Sequence, residues 1–321
     1  MHSLLSYGEV LVDFLPSSIN NPSYTPLAGG APANVAVAYA KLGGTGYFAG
    51  GISEDSFGKM LHKQLIDEGV DTRYIRKVED ANTAIVLVTL DSSGERSFNF
   101  YRNNTADTQY QKEQVDGIDW STIGIFHFCS NTLTNDSMYE NTLYALNQAR
   151  DEEVVISFDV NLRQQLWSDL SLLSERVEEC IKLSTIIKLS RDEAEYLAEI
   201  KHIHVNDYIN YLLLLGAKLV VITDGANAVQ MTSINFSTKI QVPKLSPIDT
   251  TGAGDSFISG FLFYLAQTVE ETDELTSIID VIDEQDYVYK AVVFGSNCGA
   301  FTCQKKGAFA ALPTMADLNH T

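Results

Sequence analysis

Short apolar runs alternate with stretches whose apolar residues recur every three or four positions through most of the chain. Residues 4–14 read as a strand and 33–42 as a helix; a strand near Tyr47 and a helix over 57–68 follow. The rhythm returns with strands expected at 123–128, 154–158, 186–189 and 219–223, each beside a helix-compatible stretch. The pattern predicts an α/β fold: a mostly parallel central sheet with helices on both faces.

One section breaks the rhythm. Residues 83–91 and 95–101 are strand-like and joined by Ser92-Ser93-Gly94, which reads as a β-hairpin. The segment from Asp13 to Gly29, with Pro16, Pro22 and Pro26, is extended in character and suited to pair with that hairpin. The expected organisation is one domain over residues 1–321, with a small β-sheet lid formed by about 12–28 and 83–107. Residues 270–286 are rich in acids and read as a surface excursion, a solvated helix or loop. A helix-like run over 287–300 then leads into the polar loop 302–308, of a kind that often touches ligand in α/β proteins.

Composition narrows the class. Of 321 residues 45% are hydrophobic and 20% charged, as in ordinary globular proteins, and no apolar run is long enough to span a bilayer. The start, MHSLLSYGEVLVDF, lacks a basic segment before its apolar residues and reads as a first strand, so a cytoplasmic location is expected. The four cysteines form no C-x-x-C pair and suggest neither zinc site nor disulfide framework. A formal net charge of -20 repels nucleic acid and anionic membrane surfaces at long range. His202 and His204 have no nearby sequence partners for a metal and read as a surface pair.

The most informative segment is Asp249-Thr250-Thr251-Gly252-Ala253-Gly254-Asp255, followed by a helical apolar pattern. Glycines at a helix start leave amide N–H groups free to hold an anion without a side chain in the way. A carboxylate at that place suits proton abstraction beside a phosphoryl group. Taken alone, Asp255 fits equally a residue that complements the helix dipole.

Other segments carry matching features. Gly29-Gly30-Ala31-Pro32-Ala33-Asn34 offers close backbone approach and an amide for a polyol, and Asp13 ends a strand. Ser157-Phe158-Asp159-Val160-Asn161-Leu162-Arg163 places a guanidinium after a strand, suited to sugar and phosphate oxygens. Together with the Gly252–Asp255 string these segments resemble the signatures of the ribokinase-like carbohydrate kinases, also called the phosphofructokinase B family. The resemblance runs from Gly8 to Pro313.

The resemblance implies ATP-dependent phosphorylation of a sugar hydroxyl, with Asp255 as base and the amides of Gly252, Ala253 and Gly254 as anion hole. It puts Asp13, Gly29, Gly30 and Asn34 on the sugar and Arg163 between sugar and phosphate. Lys188-Leu189-Ser190-Arg191-Asp192-Glu193 is similar to a segment tied to phosphate and Mg2+, with Glu193 acting through water and Lys188 and Ser190 on the nucleotide side. Thr223-Asp224-Gly225-Ala226 resembles the segment beside ATP, implying nucleotide contacts for Thr223 and Gly225 that Asn297, Gly307 and Ala308 would complete. The resemblance also implies a K+ site at Asp249 and Thr251, with carbonyls of the 302–308 loop, as in some relatives. The chain departs from the signatures at Ser53, Val160, Ser190 and Ala228, which stand where the family has glycine, proline, asparagine and glycine.

Within the family the run from Gly94 to Asp107 is similar to the lid of bacterial fructokinases, implying sugar contacts for Tyr101 and Arg102 and D-fructose as substrate. 2-Keto-3-deoxygluconate and aminoimidazole riboside kinases share the motifs and stay open as alternatives. So does, in a different class, a non-catalytic sugar-binding regulator. Neither a dinucleotide-binding glycine pattern nor a Walker A motif is present. A lid of this kind also implies a homodimer formed through it.

Overall fold

The computed structural model describes residues 3–17, 23–90, 96–272 and 274–319. The first half contains β1 (Leu4–Tyr7), β2 (Leu11–Pro16), β3 (Tyr24–Gly29), α1 (Ala31–Lys41), β4 (Gly46–Ser53), α2 (Ser56–Asp67), β5 (Ile75–Val78), β6 (Ile85–Leu90), β7 (Arg96–Tyr101), α3 (Lys112–Val115), β8 (Ile125–Cys129), α4 (Asp136–Asp151) and β9 (Val155–Asp159). It continues through α5 (Leu173–Leu183), β10 (Ile186–Ser190), α6 (Arg191–Ile200), α7 (Val205–Leu215), β11 (Leu219–Thr223), β12 (Val229–Thr232), β13 (Ser237–Ile240), α8 (Ala253–Glu271), α9 (Ile278–Asp283) and α10 (Gln285–Thr302).

Nine strands form the main sheet in the order β13-β12-β11-β10-β9-β8-β1-β4-β5. From β11 through to β5 all neighbours are parallel, and β12 and β13 extend the edge as an antiparallel ribbon. The period-2 pleat explains why both faces need helices. Leu4, Ile125, Val155, Ile186 and Leu219 join one core cluster with residues of α1, α8 and α10. Their neighbours Leu5, Phe126, Ile156, Ile187 and Val220 join another with residues of α4, α5 and α7.

The 4–14 run is two strands in different sheets. At Gly8, with φ 145, the chain leaves the main sheet, and a Cβ there would lie 2.7 Å from Pro32 Cγ. After the turn β2 enters a separate four-stranded sheet, ordered β3-β2-β6-β7. Pro26 is accommodated on the edge strand of that sheet, where a missing N–H is tolerated. The expected turn Ser92-Ser93-Gly94, like Pro22, lies outside the described residues. β6 and β7 are antiparallel over Ile85–Tyr101 and Leu90–Arg96 pairings.

The acidic stretch 270–286 is not a bare surface excursion. It contains α9, whose Ile278, Val281 and Ile282 are buried in the α8/α10 core. That spacing is one helical face, which the count of acids concealed. Among the described residues no helix is long and apolar enough to cross a membrane.

Candidate active site

The carboxyl ends of the parallel strands and the start of α8 converge on one region, as open α/β sheets dictate. Gly252 caps α8 in a left-handed conformation, φ 75, where a side chain would be strained, and no side chain caps the first turn. The Ala253 amide is spent on the Thr250 carbonyl oxygen at 3.2 Å, against the expectation that it joins the anion hole, which leaves the Gly252 and Gly254 backbone at the cavity to receive an anion.

Two cavities meet here. One, of about 280 Å³, is walled by Val229, Val242, Pro243, Leu245, Pro247 and Phe257 and reached by Thr223, Gly225 and Ser296. The other, of about 440 Å³, is lined by Asp13, Asn34, Asp159, Arg163, Lys188 and Asp255, with Gly30, Phe98 and Phe100 at its walls. Thr250 and Gly254 line both. An apolar cleft and a charged one thus share the start of α8.

Asp255 faces the polar cavity and its Oδ2 accepts a 2.6 Å hydrogen bond from Asn34 Nδ2, a residue of α1. Burial pushes its carboxyl above the ordinary carboxylate value, against the Asn34 amide and the charges of Lys188 and Arg163. Asp13, at the middle of β2, is pushed up to about 7, first by burial and then by the neighbouring charge of Asp255, with Arg163 opposing. The Asp13 carboxylate presses on Gly29, where a Cβ would lie 2.2 Å from its Oδ2. Gly30, at φ 106, begins α1, and a Cβ there would lie 2.6 Å from the Glu9 carbonyl oxygen.

Lys188 Nζ donates to Asp159 Oδ2 at 2.7 Å, both side chains being nearly inaccessible. Burial works against the Lys188 ammonium, yet Asp159, Glu193 and Asp255 together hold it above its ordinary value. Burial pushes Asp159 up to about 6 against the pull of Lys188. A Cβ on Gly254 would be 3.5 Å from Lys188 Nζ, so this ammonium stands at the junction of the cavities. Arg163, half-buried, donates to the carbonyl of Leu162 at 2.8 Å and lines the polar cavity.

Several expected residues stand elsewhere. Tyr101 is 60% exposed and outside the cavity wall, because strand alternation turns Phe98 and Phe100 inward instead. Arg102 is buried in an ion pair, its Nε 2.5 Å from Asp107 Oδ2, and does not line the cavity. Asn297 is exposed; helical phase brings its neighbour Ser296 to the apolar cavity. Glu193 has both oxygens on backbone amides, Oε1 from Leu162 at 2.7 Å and Oε2 from Ser190 at 2.8 Å. Ser190 and Glu193 form a capping box on α6, a signal that S-x-x-E already carried. Asp249 accepts from Thr251 N and Oγ1 through Oδ1, and from Gly307 N at 3.1 Å through Oδ2, so it braces the loop before α8. Ala308 is buried against Gly252, behind the cavity walls.

Four polar residues that no motif singled out belong to the polar cavity: Glu9, Asn131, Asp159 and Asn161. Asp159 and Asn161 stand within the 157–163 segment; Glu9 and Asn131 carry no local signal of their own.

Parallel strand ends that open on an apolar cavity beside a polar one suit an α/β enzyme that brings two small molecules of different character together. Residues 1–315 match the pfkB family carbohydrate kinase description, and the chain belongs to that family of sugar phosphotransferases. It is 33% identical over 321 residues to the fructokinase of Vibrio alginolyticus, covering 99% of this chain and 98% of that protein. The crystal structure of fructokinase with bound ATP from Xylella fastidiosa is similar at TM-score 0.92 and 32% identity, covering 99% of this chain and 97% of that one. The fructokinase of Vibrio cholerae O395 in its fructose, ADP and calcium ion bound form is similar at TM-score 0.88 and 31% identity, covering 100% and 98%.

Proposed function

We propose that the chain transfers the γ-phosphoryl group of ATP to a hydroxyl of D-fructose, giving fructose 6-phosphate and ADP. The observation that carries this reading is the junction of an apolar and a polar cavity at Thr250 and Gly254, with Asp255 on the polar side. The choice of sugar is supported by the similar fructokinases, one with ATP and one with fructose and ADP.

In this reading the apolar cavity takes the nucleobase, and Asp13, Asn34 and the Gly30 backbone engage the sugar. Asp255 accepts the proton of the attacking hydroxyl. The new O–P bond forms as the bond from the γ-phosphorus to the departing ADP oxygen breaks. The amides of Gly252 and Gly254, with Lys188 and Arg163, hold the charge that moves onto the transferred oxygens. A base whose proton affinity is raised by burial takes a proton more readily.

Magnesium accompanies the nucleotide phosphates in this reading. The residue suited to a water of its shell is Asp159, whose Oδ1 is buried and accepts no hydrogen bond, whereas Glu193 acts through the Ser190 and Leu162 amides that it holds. A potassium ion is assigned to the loop braced by Asp249 and Thr251. The small sheet serves as the lid over the sugar, keeping water from the phosphoryl group. A homodimer through this sheet is part of the reading, its open edge strands β3 and β7 being suited to meet a second copy. The four free cysteines suit a reducing cytoplasm.

The test is an ADP-release assay across fructose, ribose, 2-keto-3-deoxygluconate, aminoimidazole riboside and adenosine, with highest kcat/KM expected for fructose. Fructose turned over slowest of the five refutes the substrate assignment. Asp255→Asn is expected to lower turnover by about 10²–10⁴ with only a modest effect on folding. Near-wild-type turnover in that variant refutes the base.

A further inference from the structure

The polar cavity has a floor made of buried polar groups far apart in sequence. Glu9 lies between β1 and β2, and Asn131 in the helical turn Ser130–Leu133 that follows β8. They are 2% and 5% exposed, yet both line the cavity. Asn131 Nδ2 donates to Glu9 Oε1 at 2.8 Å. The second carboxylate oxygen, Glu9 Oε2, and the amide oxygen, Asn131 Oδ1, are buried and accept no hydrogen bond.

Behind this pair Arg102 fixes the geometry. Its Nε donates to Asp107 Oδ2 at 2.5 Å and its Nη1 to the Asn131 carbonyl oxygen at 3.3 Å. Thr134 Oγ1 donates to the same carbonyl at 2.9 Å. Burial disfavours the Glu9 charge and Arg102 opposes that effect. Buried acceptors are normally paired, and here two without a donor belong to residues that line the cavity, beside an Arg102 Nη2 that likewise has no acceptor. A ring bearing several hydroxyls supplies such donors; an apolar or carbonyl-rich ligand does not.

We propose that Glu9 Oε2 and Asn131 Oδ1 accept hydrogen bonds from two sugar hydroxyls other than the one phosphorylated, and that this pair selects the sugar. Arg102 is its positioning residue. The inference rests on the reading of the polar cavity as the sugar site. Sites that hydrogen-bond a hydroxyl reject analogues lacking it far more strongly than apolar pockets reject a missing methylene.

The experiment compares fructose with its 1-, 3- and 4-deoxy analogues, using the wild type, Glu9→Gln and Asn131→Ala. Glu9→Gln replaces the acceptor by a donor without changing size. Asn131→Ala removes the second acceptor. In the wild type at least one analogue is expected to lose about 10- to 100-fold in kcat/KM, the worth of a hydrogen bond to a charged or buried group. In the variants fructose falls by a similar factor through its KM, the KM for ATP stays unchanged, and the penalty of that analogue disappears. Equal kcat/KM for fructose and all three analogues in the wild type overturns the proposal, whether or not the variants fold. So does an unchanged analogue penalty in a folded variant. Wild type that phosphorylates no sugar at all refutes the underlying kinase reading instead.

Discussion

The polar cavity gathers carboxylates, and Asp13 shows what that arrangement costs the ligand-free protein. Its carboxyl is held near pH 7 where an ordinary one titrates near 3.8. A raised carboxyl favours the folded state when protonated, so its contribution is fully present below about pH 4. It is lost as the pH rises through about 7. At about 1.4 kcal/mol per tenfold change in proton affinity, ionised Asp13 opposes folding by at most ~4 kcal/mol. Water entering the cavity mouth screens this to about 1–2 kcal/mol. Asp13→Asn keeps the shape and removes the charge, so it is expected to stabilise the ligand-free protein by about that amount at pH 8, and by much less at pH 4. Urea unfolding at the two pH values reads the difference. The same variant is expected to raise the KM for sugar, because a hydroxyl loses its charged acceptor. An advantage of the same size at both pH values, or none at pH 8, refutes the electrostatic account of this cavity.

Two further predictions follow from the same geometry. Asn34→Ala removes the amide that donates to Asp255 Oδ2 at 2.6 Å and pulls its proton affinity down, so the acid limb of the kcat/KM profile moves to higher pH; a limb that stays in place refutes the link. Lys188→Met leaves Asp159 buried without its 2.7 Å partner and is expected to cost about 3–5 kcal/mol in urea unfolding at pH 8. That deficit shrinks as the pH falls, since a protonated Asp159 needs no cation, and the double variant with Asp159→Asn recovers much of it. A pH-independent deficit points to packing instead.

The alternation of strand and helix, the start of α8 and the position of Asp255 in its first turn were legible in the chain, because each rests on residues within about ten positions of one another. Periodicity, glycine placement and helix polarity are local physics. The Ser190–Glu193 capping box was equally local, carried by S-x-x-E at a helix start. What the chain alone did not reveal depends on parity, phase and distance. Which of Phe98, Phe100 and Tyr101 faces the cavity turns on a one-residue alternation in β7, and which of Ser296 and Asn297 reaches the apolar cavity turns on one 100° step of α10. Arg102 was readable as a cation but not as one already held by Asp107. Glu9 and Asn131 are 122 positions apart, and only the pairing of β1 with β8 brings them together. A local pattern states what each segment can form; which side chains meet is decided by how the sheet orders its strands, since contact energies act across space and not along the chain.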